Sequence, residues 1–423
     1  MSNKKMFNNI STLMIGTLVS QAIPIICSPI LTRLYTPEEF GSLALFMSIS
    51  SVFSVLANFR LDAAIMSADC DKERNILKQI SIISTVIFSL VLLSIALFFN
   101  EKIVLLFGIP SLGNFIYLIP VFVMLFGMTQ LYTYLANSVG DYKAISLSKV
   151  NKNFSMTILQ LIIGFINKGA MGLIYGVIIS FLFAWYSLRK YGTKDKNIKR
   201  IDYKFNEYKK VLKKYKDFPL FSTGTALLDN IAVESPVILI NKFHGNFEVG
   251  YFDLVRKTLM GPLSVISTSI SQVYLRNIVD KNSTVKSKLK DMFLLQSVLI
   301  VISIIIGPFI YFVGDDIFAF VFGEDWRIAG EYAKILIFAY LIRFIVSPFS
   351  VVFLQRDYIK IGAIWQGLYL IITLVVAFIN LPQGILDFFI AFTISEVTMY
   401  LIYFLLIIYS IINENYKKIS NRE

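Results

Sequence analysis

Long apolar runs separated by short polar segments fill almost the whole chain. A helix needs roughly 20 apolar residues to cross a bilayer, and only helices or closed barrels satisfy the peptide groups there. The runs are continuous rather than alternating residue by residue, which favours helices. The pattern therefore predicts an all-α, polytopic membrane protein with about twelve transmembrane helices, at approximately 10–32, 40–66, 79–99, 115–137, 154–167, 171–188, 219–241, 249–272, 292–313, 332–354, 361–379 and 385–412.

One polar turn with its apolar flanks occurs twice, at residues 28–45 and again at residues 235–254. At a constant offset of 209, close to half of the 423 residues, Glu39 matches Glu248, Gly41 matches Gly250 and Leu45 matches Leu254. Such repeats are typical of transporters built from two similar halves. Chance similarity of two apolar hairpins is the alternative. We predict two pseudo-symmetric six-helix bundles around a central cavity, residues 1–200 and 219–423, with a linker at about 189–218.

The composition and charge distribution agree with a membrane protein. The chain is 56% hydrophobic and only 16% charged, whereas globular domains carry roughly 25% charged residues. The net charge of +12 could indicate nucleic acid, but 30 of the 40 lysines and arginines fall on one side of the predicted topology and six on the other. The positive-inside rule explains this asymmetry, so we expect both termini in the cytoplasm and no nucleic-acid partner.

The linker between the predicted halves is the most basic segment of the chain. Within it, Phe205, Tyr208, Leu212 and Tyr215 recur at three- and four-residue spacing between lysines. This pattern indicates a basic amphipathic helix lying on the anionic inner leaflet. A solvated, positively charged linker is an equally good interpretation.

Charged residues inside the predicted spans are the strongest candidates for function, since they usually face a partner or a water-filled interior. They are Arg60, Asp62, Asp229, Glu234, Asp253, Arg256, Lys257, Arg343 and Glu396. One interpretation is structural, with local ion pairs between Arg60 and Asp62 and between Asp253 and Arg256, which lie on one helix face.

The functional interpretation is a cationic pathway for an anionic ligand, because the planar guanidinium group binds two phosphate oxygens at once. Its members are Arg33 at the outer mouth, Arg60 toward the inner mouth, and Arg256, Lys257 and Arg343 within the spans. Asp229 and Glu234, as carboxylates in an apolar setting with raised pKa values, are candidates for H⁺ or Na⁺ coupling. The single histidine and two cysteines, Cys27 and Cys70, support neither a metal site nor a catalytic triad, and we expect no cofactor.

Five segments also resemble a known family. They are LTRLYTPEEFGSLALF (31–46), FRLDAAIM (59–66), LANSVGDYKAISLSKV (135–150), EVGYFDLVRKTLMGPLSVI (248–266) and FLQRDYIKIGAIWQ (353–366). Together they resemble the polysaccharide flippases of the multidrug/oligosaccharidyl-lipid/polysaccharide exporter superfamily, in particular the Wzx-type O-antigen unit translocases. The resemblance covers essentially the whole chain, although its motifs are turns and small residues rather than catalytic signatures.

The resemblance implies a non-enzymatic flippase in the bacterial inner membrane. Its substrate would be an oligosaccharide linked to undecaprenyl pyrophosphate, and its partners membrane lipids and polysaccharide polymerase or assembly proteins. Two six-helix bundles would open alternately to each side, with basic residues in the cavity. The alternatives are a cation-coupled drug antiporter on the same fold, a peptidoglycan lipid-precursor flippase, and a membrane polymerase or glycosyltransferase. The last would require a large outer loop, which the sequence lacks.

Overall fold

The computed structural model describes residues 3–107, 110–166, 169–191, 204–279, 284–354 and 358–420, and every regular element in these ranges is helical. Contacts divide the chain into two compact units, Met1–Gly250 and Tyr251–Glu423. The first unit contains α1 (Asn3–Leu34), α2 (Pro37–Leu56), α3 (Leu61–Ala64), α4 (Asp71–Phe107), α5 (Ile119–Ser138), α6 (Tyr142–Ile166), α7 (Ala170–Tyr191), α8 (Phe205–Lys214) and α9 (Thr223–His244). Helix α10 (Asn246–Val279) begins in the first unit and continues into the second, which also holds α11 (Val285–Phe322), α12 (Arg327–Val346), α13 (Ile359–Asn380) and α14 (Ile385–Ser420).

Twelve of these helices, all except α3 and α8, are at least 20 residues long, which confirms the predicted all-α, multi-pass membrane fold. Ten are also apolar enough to cross a bilayer by composition. The two exceptions, α6 and α10, contain several charged residues. The predicted division into two repeats at the linker stays a prediction, since the contact-based first unit extends through α9 to Gly250.

Helix α6 corrects one predicted boundary. The sequence pattern suggested a loop at 138–153 and a short span at 154–167, but the helix begins at Tyr142. Its polar residues bond to the neighbouring helices instead of to solvent. Ser148 donates to the Ala184 carbonyl at 3.0 Å, and Asn151 donates to the Ser187 hydroxyl at 2.9 Å. A hydropathy pattern misses the polar first half of such a helix, because it counts polar side chains and not their partners.

Helix α2 ends earlier than the predicted span at 40–66. It stops at Leu56, and a turn follows in which Phe59 and Arg60 adopt left-handed conformations with φ of 46° and 57°. Few residues other than glycine adopt such angles, so this turn is locally strained. The short α3 then turns the chain toward α4.

The linker helix α8 docks on the first unit. Val211 and Tyr215 are buried in an apolar cluster with residues of α3, the turn after it, α4 and α5, namely Leu61, Ala64, Ile65, Ile76, Leu77, Leu131 and Leu135. Lys214 forms ion pairs with Asp69 at 2.7 Å and with Glu73, and Tyr215 donates to Glu73 at 2.7 Å. The amphipathic helix is therefore confirmed. Of the four residues on its predicted apolar face, Tyr215 is buried and Tyr208 is half-buried against protein, whereas Phe205 and Leu212 are exposed.

Aromatic side chains dominate the interior of the second unit. Trp365 stacks on Tyr403 with ring centroids 3.9 Å apart and on Tyr369 at 5.1 Å, and it donates to the Met399 carbonyl at 3.2 Å. These contacts hold α13 against α14. They also surround the polar groups described next with large, rigid rings.

Candidate substrate site

The charged centre of the second unit lies on α10. Asp253 is completely buried, and its two carboxylate oxygens contact the Arg256 guanidinium at 3.0 Å and the Lys257 ammonium at 2.6 Å. The spacing of three and four residues places all three side chains on one helix face. The local ion pair that the sequence suggested is therefore present, and it includes Lys257 as well.

A second set of charged groups comes from α12 and α14. The Arg343 guanidinium lies over the Tyr400 ring, 5.8 Å from its centroid, and the Tyr369 hydroxyl donates to the buried Glu396. Tyr340 of α12 interacts electrostatically with members of both sets, namely Asp253, Arg256, Arg343 and Glu396. Its own hydroxyl is buried and has no hydrogen-bond partner. The structure thus brings together Arg256, Lys257 and Arg343, three of the five predicted cationic residues.

Within this cluster the balance of charge favours an anion. Three cations face two carboxylates, and one of the carboxylates is shared between Arg256 and Lys257. The Lys257 side chain is 50% exposed, whereas that of Arg256 is 19% exposed. A phosphate group could reach Lys257 without disturbing the buried carboxylate of Asp253. In this arrangement Asp253 positions Arg256 and Lys257 and can keep both ion pairs while a phosphate binds.

The other two predicted cations, Arg33 and Arg60, belong to the first unit and lie near opposite ends of α2, which is about 30 Å long. The Arg33 guanidinium donates to the Pro29 carbonyl at 2.7 Å. Arg60 occupies the left-handed turn after α2, and its Nε atom is buried without a hydrogen-bond partner. Among the described residues Arg60 and Asp62 make no direct ion-pair contact, although their charges interact electrostatically, and the Asp62 carboxylate accepts the Ala63 amide at 2.8 Å.

The candidate coupling residues, Asp229 and Glu234, both lie on α9. Glu234 is partly buried and accepts a hydrogen bond from Ser48 of α2 at 2.7 Å, and the nearby Ser51 donates to Asn230 at 3.3 Å. Asp229 is exposed, and Glu234 is only partly buried beside a serine hydroxyl, so neither carboxylate lies in a purely apolar setting. The sequence did not identify the serine partners, because they are distant in the chain by 186 and 179 residues.

The duplicated turn supplies a contact that the sequence pattern alone did not predict. Thr36 caps α2 with a reciprocal pair of hydrogen bonds to Glu39, and Gly245 precedes α10 at the equivalent position. The starts of the two helices touch through their backbones. A Cβ atom built on Gly41 would lie 1.9 Å from the Asn246 carbonyl oxygen, and one on Gly250 would lie 1.9 Å from the Pro37 carbonyl oxygen.

This contact is symmetric in the repeat, because Pro37 and Asn246 are related by the same offset of 209 as the two glycines. Each glycine therefore receives the carbonyl of the other repeat, in the manner of a two-fold interface. The Asn246 amide also donates to the buried Ser42 hydroxyl at 2.9 Å. We call residues 37–42 with 246–250 the glycine seam. Only residues without a Cβ permit so close an approach.

Comparison with known proteins agrees with this architecture. The family model described as "Polysaccharide biosynthesis protein" matches residues 30–330. The chain belongs to this polysaccharide biosynthesis protein family. The match includes the glycine seam, the linker helix and the Asp253–Arg256–Lys257 group, whereas Arg343 and Glu396 lie beyond it. No curated protein matches the chain.

The solved structures of similar fold include a flippase and several transporters. The structure titled "Lipid II flippase MurJ, inward closed conformation" has a TM-score of 0.73 and 15% identity, over 93% of this chain and 86% of that one. An inward-facing multidrug resistance MATE family transporter of the MOP superfamily gives 0.64 and 14%, over 93% and 98%. A MATE transporter from Vibrio cholerae gives 0.60 and 13%, over 96% and 95%. At these identities the likeness establishes the fold alone.

Proposed function

We propose that this protein is a flippase that moves an oligosaccharide linked to undecaprenyl pyrophosphate, an O-antigen unit or a similar repeat unit, across the bacterial inner membrane. The observation that carries the proposal is the cluster of Arg256, Lys257 and Arg343 in the second unit, around the buried Asp253. A family of polysaccharide biosynthesis proteins and a fold shared with a lipid II flippase support the same class of substrate.

In this proposal the protein binds the substrate mainly through its pyrophosphate group. Arg256 is held in place by Asp253, so its planar guanidinium group is preorganised to offer paired donors to phosphate oxygens. Lys257, which is more exposed, would contribute a point charge. Arg343 is held by the Tyr400 ring and would take a second phosphate oxygen. Arg33 and Arg60 would serve at the two mouths.

The glycan would cross through a hydrated cavity while the lipid tail stays in the bilayer, and the two repeats would rock to open each side in turn. We assign the glycine seam the role of the closure on the side with few lysines, the periplasmic side if both termini are cytoplasmic. Its backbone contacts would separate when that side opens. Asp229 or Glu234 could couple this movement to H⁺ or Na⁺, and polysaccharide polymerase and assembly proteins would receive the product.

Two other functions fit the fold. A cation-coupled drug antiporter is suggested by the MATE-like architecture, but it would bind cationic substrates, which the three-cation cluster disfavours. A peptidoglycan lipid-precursor flippase is suggested by the lipid II flippase of similar fold and uses the same phosphate chemistry. An enzyme is disfavoured because the similar structures are transporters and flippases.

The test is complementation of a deletion strain. Arg256→Ala and Arg343→Ala should abolish surface polysaccharide while leaving the protein level in the membrane unchanged, since each removes a charge-assisted phosphate contact. Lys143→Ala, an exposed lysine on α6, is the control and should restore polysaccharide fully. Normal polysaccharide with both arginine variants would exclude the phosphate pathway. Loss of viability of the deletion strain, rather than loss of polysaccharide, would favour the peptidoglycan precursor as substrate.

A further inference from the structure

Two lysines of α6, Lys149 and Lys152, occupy an unusual position for cations. They lie three residues apart, about one helical turn, and interact electrostatically with each other. The Lys149 ammonium donates to the Thr17 hydroxyl of α1 at 3.1 Å, and the Lys152 ammonium lies over the Phe181 ring of α7, 4.9 Å from its centroid. Thr17 and Phe181 both belong to helices that are long and apolar enough to span the membrane.

The contacts of these lysines differ in kind from those of the second unit. Arg256 and Lys257 share the carboxylate of Asp253, but no carboxylate in the described ranges of the chain pairs with Lys149 or Lys152. A hydroxyl and an aromatic ring stabilise a cation without neutralising it. Charge among membrane-spanning helices is expensive and usually marks a ligand or ion path, so the pair is a candidate site for an anion.

The surroundings of the pair also suit a sugar–phosphate ligand. Thr17, Ser20 and Gln21 share one face of α1, and the Asn153 amide of α6 donates to the Ser20 carbonyl at 2.6 Å. The Gln21 side-chain oxygen is buried and has no hydrogen-bond donor. A hydroxyl group of a glycan could supply that donor. Helix α6 therefore offers one ammonium donor beside α1 and a second beside α7, and α1 offers one vacant acceptor.

We propose that Lys149 and Lys152 form a second anion-binding site, in the first unit, for the pyrophosphate of the lipid-linked substrate. This inference rests on the proposed function. It assigns the substrate a second binding site, whose positive charge no carboxylate of the described residues neutralises. The same phosphate chemistry is present in the headgroup of an anionic phospholipid, so the experiment must separate the two ligands.

The experiment is native mass spectrometry of the full-length protein in detergent, titrated with undecaprenyl pyrophosphate in one arm and phosphatidylglycerol in the other. Lys149→Gln combined with Lys152→Gln should weaken binding of the pyrophosphate lipid at least about tenfold, since two charge-assisted contacts are lost. The double arginine variant, K149R with K152R, keeps the charge and should retain binding within a few-fold. Lys143→Gln on the same helix should bind as the wild type does. If the double glutamine variant does not fold, Lys152→Gln alone should still weaken binding several-fold.

The outcomes separate this inference from the proposed function. If K149Q with K152Q binds the pyrophosphate lipid as tightly as the wild type does, the second site is overturned and the flippase proposal stands. Equal loss of phosphatidylglycerol binding in that variant would also overturn it, because the pair would then be a general site for anionic lipid. Failure of the wild type to prefer the pyrophosphate lipid over phosphatidylglycerol would count against both.

Discussion

A single methyl group should open the glycine seam. In Gly250→Ala, the new Cβ atom would start 1.9 Å from the Pro37 carbonyl oxygen, whereas Cβ atoms essentially never approach closer than 3.0 Å. The two helix starts must therefore move apart by more than about 1 Å, and overpacking of this kind costs about 1–3 kcal/mol. Gly261→Ala is the matched control, because Gly261 is on the same helix and nothing lies within 4 Å of its Cβ position.

This overpacking energy destabilises the closed seam relative to the open seam. If the seam must separate for one side to open, the strain is present only in the closed state, and about 1–3 kcal/mol shifts the ratio toward open by about 5- to 150-fold. Both alanine substitutions raise helix propensity equally, by about 1 kcal/mol, so the control removes that contribution from the comparison. Gly41→Ala, the symmetric substitution, should act in the same direction.

Accessibility of a buried cysteine measures the shift. Ser42 is 5% exposed in the seam, so Ser42→Cys, in a chain with Cys27 and Cys70 changed to serine, should react slowly with a membrane-impermeant maleimide added outside intact cells. Gly250→Ala should raise that rate at least about fivefold, and Gly261→Ala should leave it within twofold. Equal rates in the three proteins, or the same rise in the control, would refute the role of the seam as a closure.

Three further predictions concern other parts of the chain. Lys214→Ala should release the linker helix α8 and raise its amide hydrogen exchange. The carboxylates that accept hydrogen bonds from Lys214 raise its pKa. The stability that the Lys214 ion pairs give to the docked helix is therefore fully present below about pH 10 and is lost as the pH rises through the folded-state pKa. Equal exchange in variant and wild type at pH 7 would contradict the docking. Asp229→Asn with Glu234→Gln should change the dependence of transport on H⁺ or Na⁺ gradients in proteoliposomes, and an unchanged dependence would end their coupling role. Tyr369→Phe should leave the buried Glu396 without its donor and lower thermal stability by about 1–3 kcal/mol, measured by thermal unfolding in detergent, and an unchanged midpoint would contradict this.

Some features of the site could be predicted because they are local in sequence. The spacing of Asp253, Arg256 and Lys257 fixes them on one helix face, whatever the tertiary structure. Hydropathy and the lysine distribution gave the number of long helices and the expected topology. The repeat located Gly41 and Gly250, although it did not identify the carbonyls they contact.

Other features depend on partners far away in the chain. The sequence pattern places Lys149 and Lys152 in a loop, because the first half of α6 is polar. The partners of these polar side chains belong to α1 and α7, which are distant in the sequence. The docking of α8 could not be derived, since an amphipathic helix covers protein or lipid with the same pattern. Long-range hydrogen bonds such as the one from Ser48 to Glu234 have no local signature at all.

The central claim is that cationic side chains bind the pyrophosphate of the substrate. Its most direct test is translocation in proteoliposomes that contain the purified protein and an undecaprenyl-pyrophosphate-linked oligosaccharide. Access of the glycan to an added, membrane-impermeant glycosidase reports its movement between leaflets. We expect rapid translocation by the wild type and a loss of at least about tenfold in Arg256→Ala and in Arg343→Ala, with Lys143→Ala unaffected. Translocation at the wild-type rate by both arginine variants would contradict the account.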